Sequence, residues 1–488
     1  MDYHDFATGD IAHALSSVNL TYGRTPITTD VQEITDENLI YVLNKALSTF
    51  EQNANESDYL YQYYKGKQPI IYRQKTERPE ITNIVVENRA YEIVTFKTGR
   101  FLYKDIQYTN RSEVNVEEVN ELNRIMYADG KAGKDRVIAD WFHIAGHSYR
   151  LITTASDGFP FHTYPVDPRR GFVVYADTVD MPPVLGVYKT VQEDAKQLKH
   201  TIYTCYTNRY VYKVENQMIT SKQGHILGDV PLVEYPANFA RLGSFEVVIS
   251  LLNALNTAQS NRLDGVEQFI QALLVFKGLA LGDGDIADLR REGAICLPKD
   301  SDMDYLTNEL NQEQTQTLVD DLYQAVLTIC GMPNRNGKSS TSDNKGAVVL
   351  RDGWSAAATA VKETKQYFEA SERRMLRMAL RAFNLFRDAK VPNRVPLTLD
   401  DVDIHFDEGE YENTLEKAQV LQMLLNNDWV HPRKAYEFSN ITSDPEEAYL
   451  AGKEYHDAVQ EQELDMLENG NAHTEQTFVS GHWRANNG

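Results

Sequence analysis

Three regimes of hydrophobic patterning succeed one another along the chain. In the first, apolar residues recur at steps of three and four, as one face of a helix requires. Leu39, Val42, Leu43, Ala46, Leu47 and Phe50 predict a helix with Asp36 as its cap, and Tyr59, Leu60, Tyr63 and Tyr64 predict a short second one ended by Gly66 and Pro69. Ile84, Val85, Ile93, Val94 and Phe96 place a further helix between Asn83 and Tyr108, running through Gly99 into an extended Phe101-Leu102-Tyr103. Two more are expected at Val114 to Tyr127 and Val137 to Ala145. Residues 1–35 lack such periodicity and read as an arm outside the core.

Beyond Gly146 the pattern shortens. Tyr149 to Thr153, Phe172 to Tyr175, Val184 to Tyr188, Thr201 to Cys205 and Tyr210 to Val214 are β-branched and aromatic with turn residues between them, which predicts an antiparallel insert. After Pro236 long helices return. Val248, Leu252, Leu255, Leu263, Val266, Ile270 and Leu273 suggest a rod from Ser244 to Phe276, about 45 Å long at 1.5 Å per residue. Its other side, with Asn253, Asn256, Thr257, Ser260, Asn261, Asp264, Glu267 and Gln271, is hydrophilic and is expected to face water. A compact segment from Leu279 to Leu310, with a strand-like Ala294 to Leu297, precedes a second rod from Gln312 to Cys330. A polar loop from Pro333 to Gly346 leads into a very long helix, from Ala347 to Phe386 and ended by Pro392. A strand at Val402 to Phe406 and helices at Thr414 to Asn426, Pro432 to Phe438 and Pro445 to Leu467 close the pattern. The fold class is α+β, mainly helical, without internal repeats.

Composition narrows the function. With 42% hydrophobic residues in 488, the chain can bury several cores. Lys and Arg number 49 against 71 Asp and Glu, a net charge of −22 that disfavours tight coating of nucleic acid. Cys205, Cys296 and Cys330 are odd in number and widely spaced, which speaks against a disulfide-built fold or a zinc ribbon. No stretch reaches the roughly 18 apolar residues of a membrane helix, so a soluble chain with no membrane partner is expected.

Chemical motifs fail one by one. Gly337-Lys338-Ser339 resembles the end of a phosphate loop, but Met332 stands where the first glycine is required and a helix precedes it. His143 and His147 have metal-ligand spacing, yet Gly146 intervenes and no third ligand accompanies them. Gly282-Asp283-Gly284-Asp285 lacks the later glutamate of a calcium loop. Asp400-Asp401, Glu446-Glu447 and the run from Glu461 to Glu468 read as solvated faces and caps. Neither catalysis, a cofactor nor a metal is expected.

A series of local patterns in order resembles the portal proteins of tailed bacteriophages, of the kind found in siphophages of Gram-positive hosts. Tyr63-Tyr64-Lys65-Gly66-Lys67 before Ile70, Asn83 to Asn88 before Ile93-Val94, and Gly99 to Tyr103 are similar to the family's early elements. Gly146 to Tyr149, Val166-Asp167-Pro168 and Phe172 to Tyr175 resemble the strands that follow. Val230 to Glu234, Ser244-Phe245-Glu246, Ala272 to Val275 with Gly278, and Asp343 to Ala347 complete a likeness over residues 36–460. Family members often carry a second glycine at Tyr103 and a serine at Lys345.

The resemblance implies a multi-domain architecture assembling as a ring, dodecameric in the family's mature particles. Its divisions are an N-terminal arm (1–35), wing (36–243), first stem helix (244–277), clip (278–311), second stem helix (312–331), tunnel loop (332–346), long wing helix (347–395), crown (396–467) and flexible tail (468–488). It implies a channel at one capsid vertex for packaging and ejecting double-stranded DNA, non-specifically contacted, with Asn334, Arg335, Lys338 and Lys345 on the DNA-facing loop. Implied partners are further copies of the chain, the terminase, a head-completion adaptor, and the major capsid and scaffolding proteins, in the virion and earlier in the host cytoplasm. The alternatives are an ATP-hydrolysing packaging enzyme, which would bind nucleotide, and a shell-forming capsid protein, which would form large closed particles.

Overall fold

The computed structural model describes residues 20–76, 79–111, 115–155, 157–193, 199–270, 273–277, 302–306, 312–334, 343–390, 395–406, 414–439, 441–442, 445–446 and 448–460. In chain order the first elements are β1 (Ile27–Thr29), α1 (Leu39–Tyr64), α2 (Arg89–Phe101), β2 (Gln107–Asn110), α3 (Val116–Ala128) and α4 (Lys131–Ala145). The strands β3 (His147–Thr154), β4 (Phe161–Val166), β5 (Gly171–Ala176), β6 (Pro183–Glu193), β7 (Lys199–Tyr206), β8 (Tyr210–Glu215), β9 (Met218–Gly224) and β10 (Leu232–Pro236) follow. Then come α5 (Ile249–Ile270), β11 (Leu273–Lys277), β12 (Asp302–Leu306), α6 (Gln312–Ile329), α7 (Asp343–Lys390), β13 (Val402–His405), α8 (Thr414–Leu425) and α9 (Pro432–Ser439). The mixture is α+β, as the pattern predicts.

Two compact units divide these elements, one of residues 1–103 and 112–401, the other of 104–111 and 402–488. In the larger unit a six-stranded sheet has the order β1-β5-β6-β7-β8-β9, and a second sheet the order β10-β3-β4. The ladders are antiparallel except that β1 runs parallel to β5, so the expected all-antiparallel insert gains one parallel edge strand. That strand comes from residues predicted to lie outside the core. Ile27 is buried, and Arg24 is enclosed between Glu56, at 2.9 Å, and Glu246.

Helix α1 serves two cores. Its first half lays Leu39, Val42, Leu43, Ala46 and Phe50 on the six-stranded sheet, where Phe50 stacks on Phe172. Its last turns bring Tyr59, Leu60 and Tyr63 into a helical core with Ile93, Val94, Val248, Leu252 and Val326. Between the halves lies a buried polar belt of Asn53, Glu56 and Ser57. Asn53 exchanges hydrogen bonds with the Thr25 backbone at 2.8 and 3.1 Å, and Glu56 pairs with Arg24. The belt is what the pattern presents as a break between two helices, because its polar residues are satisfied across the fold and not by water. Asp36 is not the cap expected. Its carboxylate is held by Lys222 and the Tyr212 hydroxyl, at 2.7 and 2.8 Å.

Helix α7 crosses the second sheet with Phe368, Met375, Leu376, Ala379 and Phe383 buried. Glu372, at its centre, accepts from the Tyr235 hydroxyl at 2.7 Å and pairs with Lys131 at 2.9 Å and Arg150 at 3.4 Å. Asp135 closes this buried network on Lys131 and Arg150. Each charge has a counter-charge, as removal from water demands. In the smaller unit β2 pairs antiparallel with β13, and α8 contacts α9. The strand expected at Ala294 to Leu297 and the tail lie outside the described residues.

Candidate functional site

Helices α5 and α6 form an antiparallel pair. Leu252 and Leu255, early in α5, share a core with Val326, Leu327 and Cys330 at the end of α6 and just beyond it. Further along, Arg262 of α5 donates to Gln316 near the start of α6 at 2.7 Å, and Gln316 donates on to Asp320 at 2.7 Å. The first rod is shorter than expected. It starts at Ile249 after a single 3₁₀ turn, while the Ser244 hydroxyl is engaged by His143 Nδ1 at 2.8 Å. It stops at Ile270, about 33 Å on. Leu273–Lys277, whose Leu, Val and Phe continue the helical spacing, instead forms a strand in register with Asp302–Leu306. A β-branched and aromatic run has that second option whenever a partner strand exists.

Part of the polar face of α5 does not meet water. Asn256, Ser260 and Asp264 are buried under the chain between Asn83 and Glu87. The Asn83 amide donates to Asp264 at 2.7 Å, the Val85 amide to Ser260 at 3.0 Å and the Glu87 amide to Asn256 at 2.8 Å. Alternate amides of an extended segment advance about 6.6 Å, and positions four apart on a helix about 6.0 Å, so the two repeats match over this length. Asp264 also binds Arg73 and Lys75 at 2.9 and 3.0 Å. Burial works against its ionised form, but the Asn83 amide, Lys75 and Arg73 outweigh it and hold the carboxyl below its usual range.

This contact corrects two expectations. Asn256, Ser260 and Asp264 of the hydrophilic face form an internal seam while Thr257 and Asn261 are exposed as expected, and residues 83–87 are extended, the amides of Asn83, Val85 and Glu87 having their acceptors on α5. Helix α2 begins only after Asn88, whose side chain accepts from the Tyr91 amide as an N-cap. The ladder of Asn, Ser and Asp at four-residue spacing is the sequence signal that could have revealed the seam.

What α5 and α6 turn outward includes the rest of that polar face. Ser250, Ala254, Thr257 and Asn261 form an exposed stripe on α5, and Thr317, Asp321, Gln324 and Thr328 one on α6. Helix α6 contains Glu313, Asp320 and Asp321 and no basic residue. Leu263 and Leu318 are also exposed.

The residues assigned to the loop after α6 are not brought together in what is described. Asn334 folds back and donates to Gln324 Oε1. Lys345 lies in the first turn of α7, which starts four residues before the expected Ala347. Arg335 and Lys338 lie outside the described residues, as do Gly337, Ser339, Cys296 and the Gly282 to Asp285 turn.

His143 and His147 are separated by the end of α4. Gly146 adopts a left-handed φ of 80°, and a Cβ there would sit 1.8 Å from the Arg241 carbonyl oxygen. His147 therefore leaves on β3, beside Tyr149 Oη at 3.2 Å and Glu234 at 3.7 Å. No cluster of His, Cys, Asp and Glu able to hold a metal occurs among the described residues, and no helix among them is long and apolar enough to cross a membrane.

Sequence reasoning also missed a cavity of about 590 Å³ in the larger unit, between α2, the 237–247 segment, the end of α6 and α7. Lys97 and His143 lie on its wall. Burial, reinforced by Lys97, keeps the His143 imidazole neutral well below its ordinary pKa, and its Nε2 has no hydrogen-bond partner.

Residues 43–462 match the family model described as "Phage portal protein, SPP1 Gp6-like". No curated protein matches the chain. Among solved structures it is similar to one titled "Neck of empty GTA particle computed with C6 symmetry", with a TM-score of 0.43 and 10% sequence identity over 72% of this chain and 90% of that chain.

Proposed function

Since the chain belongs to the SPP1 Gp6-like family of phage portal proteins, we propose that its copies close into a ring of twelve at one capsid vertex, through which double-stranded DNA is packaged and later ejected. The observation that carries this reading is the outward stripe of α5 and α6, small and polar on one helix and free of basic residues on the other. Facing the bore, such a surface gives duplex little to grip, since the neighbouring Arg73 and Arg262 are already engaged by Asp264 and Gln316. Each phosphate neutralised by a protein cation adds a salt-dependent binding term, which during translocation acts as a brake. Exposed Leu263 and Leu318 fit contact with the next copy.

The cations that meet DNA lie within residues 332–346. Arg335, Lys338 and Lys345, with Asn334, touch passing phosphates transiently and read no bases. The terminase docks at residues 278–311 during filling and a head-completion adaptor takes its place afterwards. Assembly, with the capsid and scaffolding proteins, occurs in the host cytoplasm. The role is structural, and purified chain should neither bind nor hydrolyse ATP.

Electron microscopy of the purified chain under assembly conditions tests the proposal. Rings with a central opening are expected, and replacing the three loop cations by alanine should leave the rings intact while changing the yield or retention of packaged DNA. A lone monomer both in solution and in virions would overturn the ring. Unchanged filled heads would remove the loop from it.

A further inference from the structure

The cavity beside α7 has a rim unlike its wall. Phe239 is 85% exposed, Ile329 55%, and Val247 and Tyr367 are also exposed, all four lining the mouth. Deeper in, Lys97 has no carboxylate within ion-pair distance among the described residues, and the buried His143 has Nδ1 on Ser244 and Nε2 unpartnered. Arg100 and Glu363 also line the space. A half-buried ammonium without a counter-charge, and a buried ring nitrogen without a partner, are both costly arrangements that a carboxylate would relieve.

We propose that this cavity is a socket for a neighbouring copy of the chain, which inserts an apolar side chain next to a carboxylate. The carboxylate meets Lys97 and His143 Nε2, and the apolar group is covered by Phe239, Val247, Ile329 and Tyr367. A free inorganic anion would answer the wall but leave the rim in water. A second copy answers both, and a chain with net charge −22 offers carboxylates over most of its surface. Val247 and Ile329 also stand at the ends of the antiparallel helix pair, so the socket is continuous with the surface assigned to the ring. The inference rests on that ring reading.

The test uses purified full-length chain under assembly conditions, with Phe239 replaced by p-benzoylphenylalanine. Irradiation should give a species of twice the 55.6 kDa chain mass. Independently, Phe239→Asp and Lys97→Met should each raise the concentration of half-assembly by on the order of tenfold, while the melting temperature of the unassembled chain holds. Rings that form normally in both variants, with no dimeric cross-link, would overturn the socket and leave the ring standing. A wild-type chain that never assembles overturns both. If inorganic phosphate stabilises the wild type but not Lys97→Met, and assembly is unchanged, the cavity is a small-anion site and the socket is again refuted. The cross-link reads an exposed position, so it stands even if a variant misfolds.

Discussion

Asp264, buried, and Lys97, half-buried, are charged groups of the larger unit that are treated in opposite ways. Asp264 has a backbone amide, an amide side chain, a guanidinium and an ammonium within 3.0 Å. Lys97 sits at a cavity wall with a neutral imidazole near it and no anion paired with it among the described residues. The first arrangement is complete within one chain. The second is complete only when something else arrives. Polar groups that fold a monomer and polar groups that await a partner can thus be told apart by whether their hydrogen bonds close internally.

Removing the internally closed carboxylate should produce the largest effect. Asp264→Ala leaves Arg73, Lys75 and the Asn83 amide without their acceptor, and it should destabilise the larger unit by about 3 kcal/mol. Denaturant unfolding followed at that unit measures it. Hydrogen exchange adds location, because the amides of Asn83, Val85 and Glu87 should lose protection together. A loss under about 1 kcal/mol with those amides still protected would mean that the seam is held by something else.

That seam also marks where the chain's patterning is legible and where it is not. The face of α1 from Leu39 to Phe50 is plain in the spacing, since burial against a sheet selects apolar residues at every third or fourth position. The strands between Tyr149 and Val214 are equally plain. Residues 83–87 mislead because Ile84 and Val85 supply apolar character that a helix and an extended segment both use. Only the acceptors on α5, some 170 residues on in the chain, decide between them. Phe276 misleads for a similar reason, its strand depending on residues 302–306. The candidate site divides likewise. The polarity of α5 and α6 can be read in advance, but which of their polar residues turn inward cannot. The socket is invisible because Lys97, His143, Phe239 and Ile329 come from four separated stretches that only the fold unites.

A middle-sized effect tests whether the socket's imidazole is closed off as described. His143 is neutral in the folded chain, its pKa lowered by burial and by Lys97, whereas an unfolded histidine titrates near 6.5. Below that value the unfolded chain binds a proton that the folded chain does not, so stability falls as pH falls. Relative to His143→Leu, the wild type should lose about 1.4 kcal/mol more between pH 7.5 and 5.5. The comparison of slopes isolates this residue from His147 and His225, also lowered, and from His162, which is raised and acts in the opposite sense. Parallel slopes would mean that the ring is protonated in the fold. In assembled rings the slope should shrink, because a carboxylate beside Nε2 favours the charged form.

The smallest effect separates the two regions most sharply, because its sign differs from that at Asp264. Lys97→Met removes an ammonium that burial already disfavours, as its lowered pKa records, and leaves a side chain of similar length against Phe96, Phe101 and Val361 around the cavity. No acceptor among the described residues is orphaned by the change, since none of them pairs with Lys97. The unassembled chain should therefore be unchanged or more stable by less than about 1 kcal/mol, measurable as a small rise in denaturant midpoint. The same variant should assemble less well. A charge that weakens the single chain and strengthens the ring is placed for the ring, whereas a Lys97→Met chain that is both less stable and fully competent to assemble would make Lys97 a partner in a contact internal to the fold and bring it into line with Asp264.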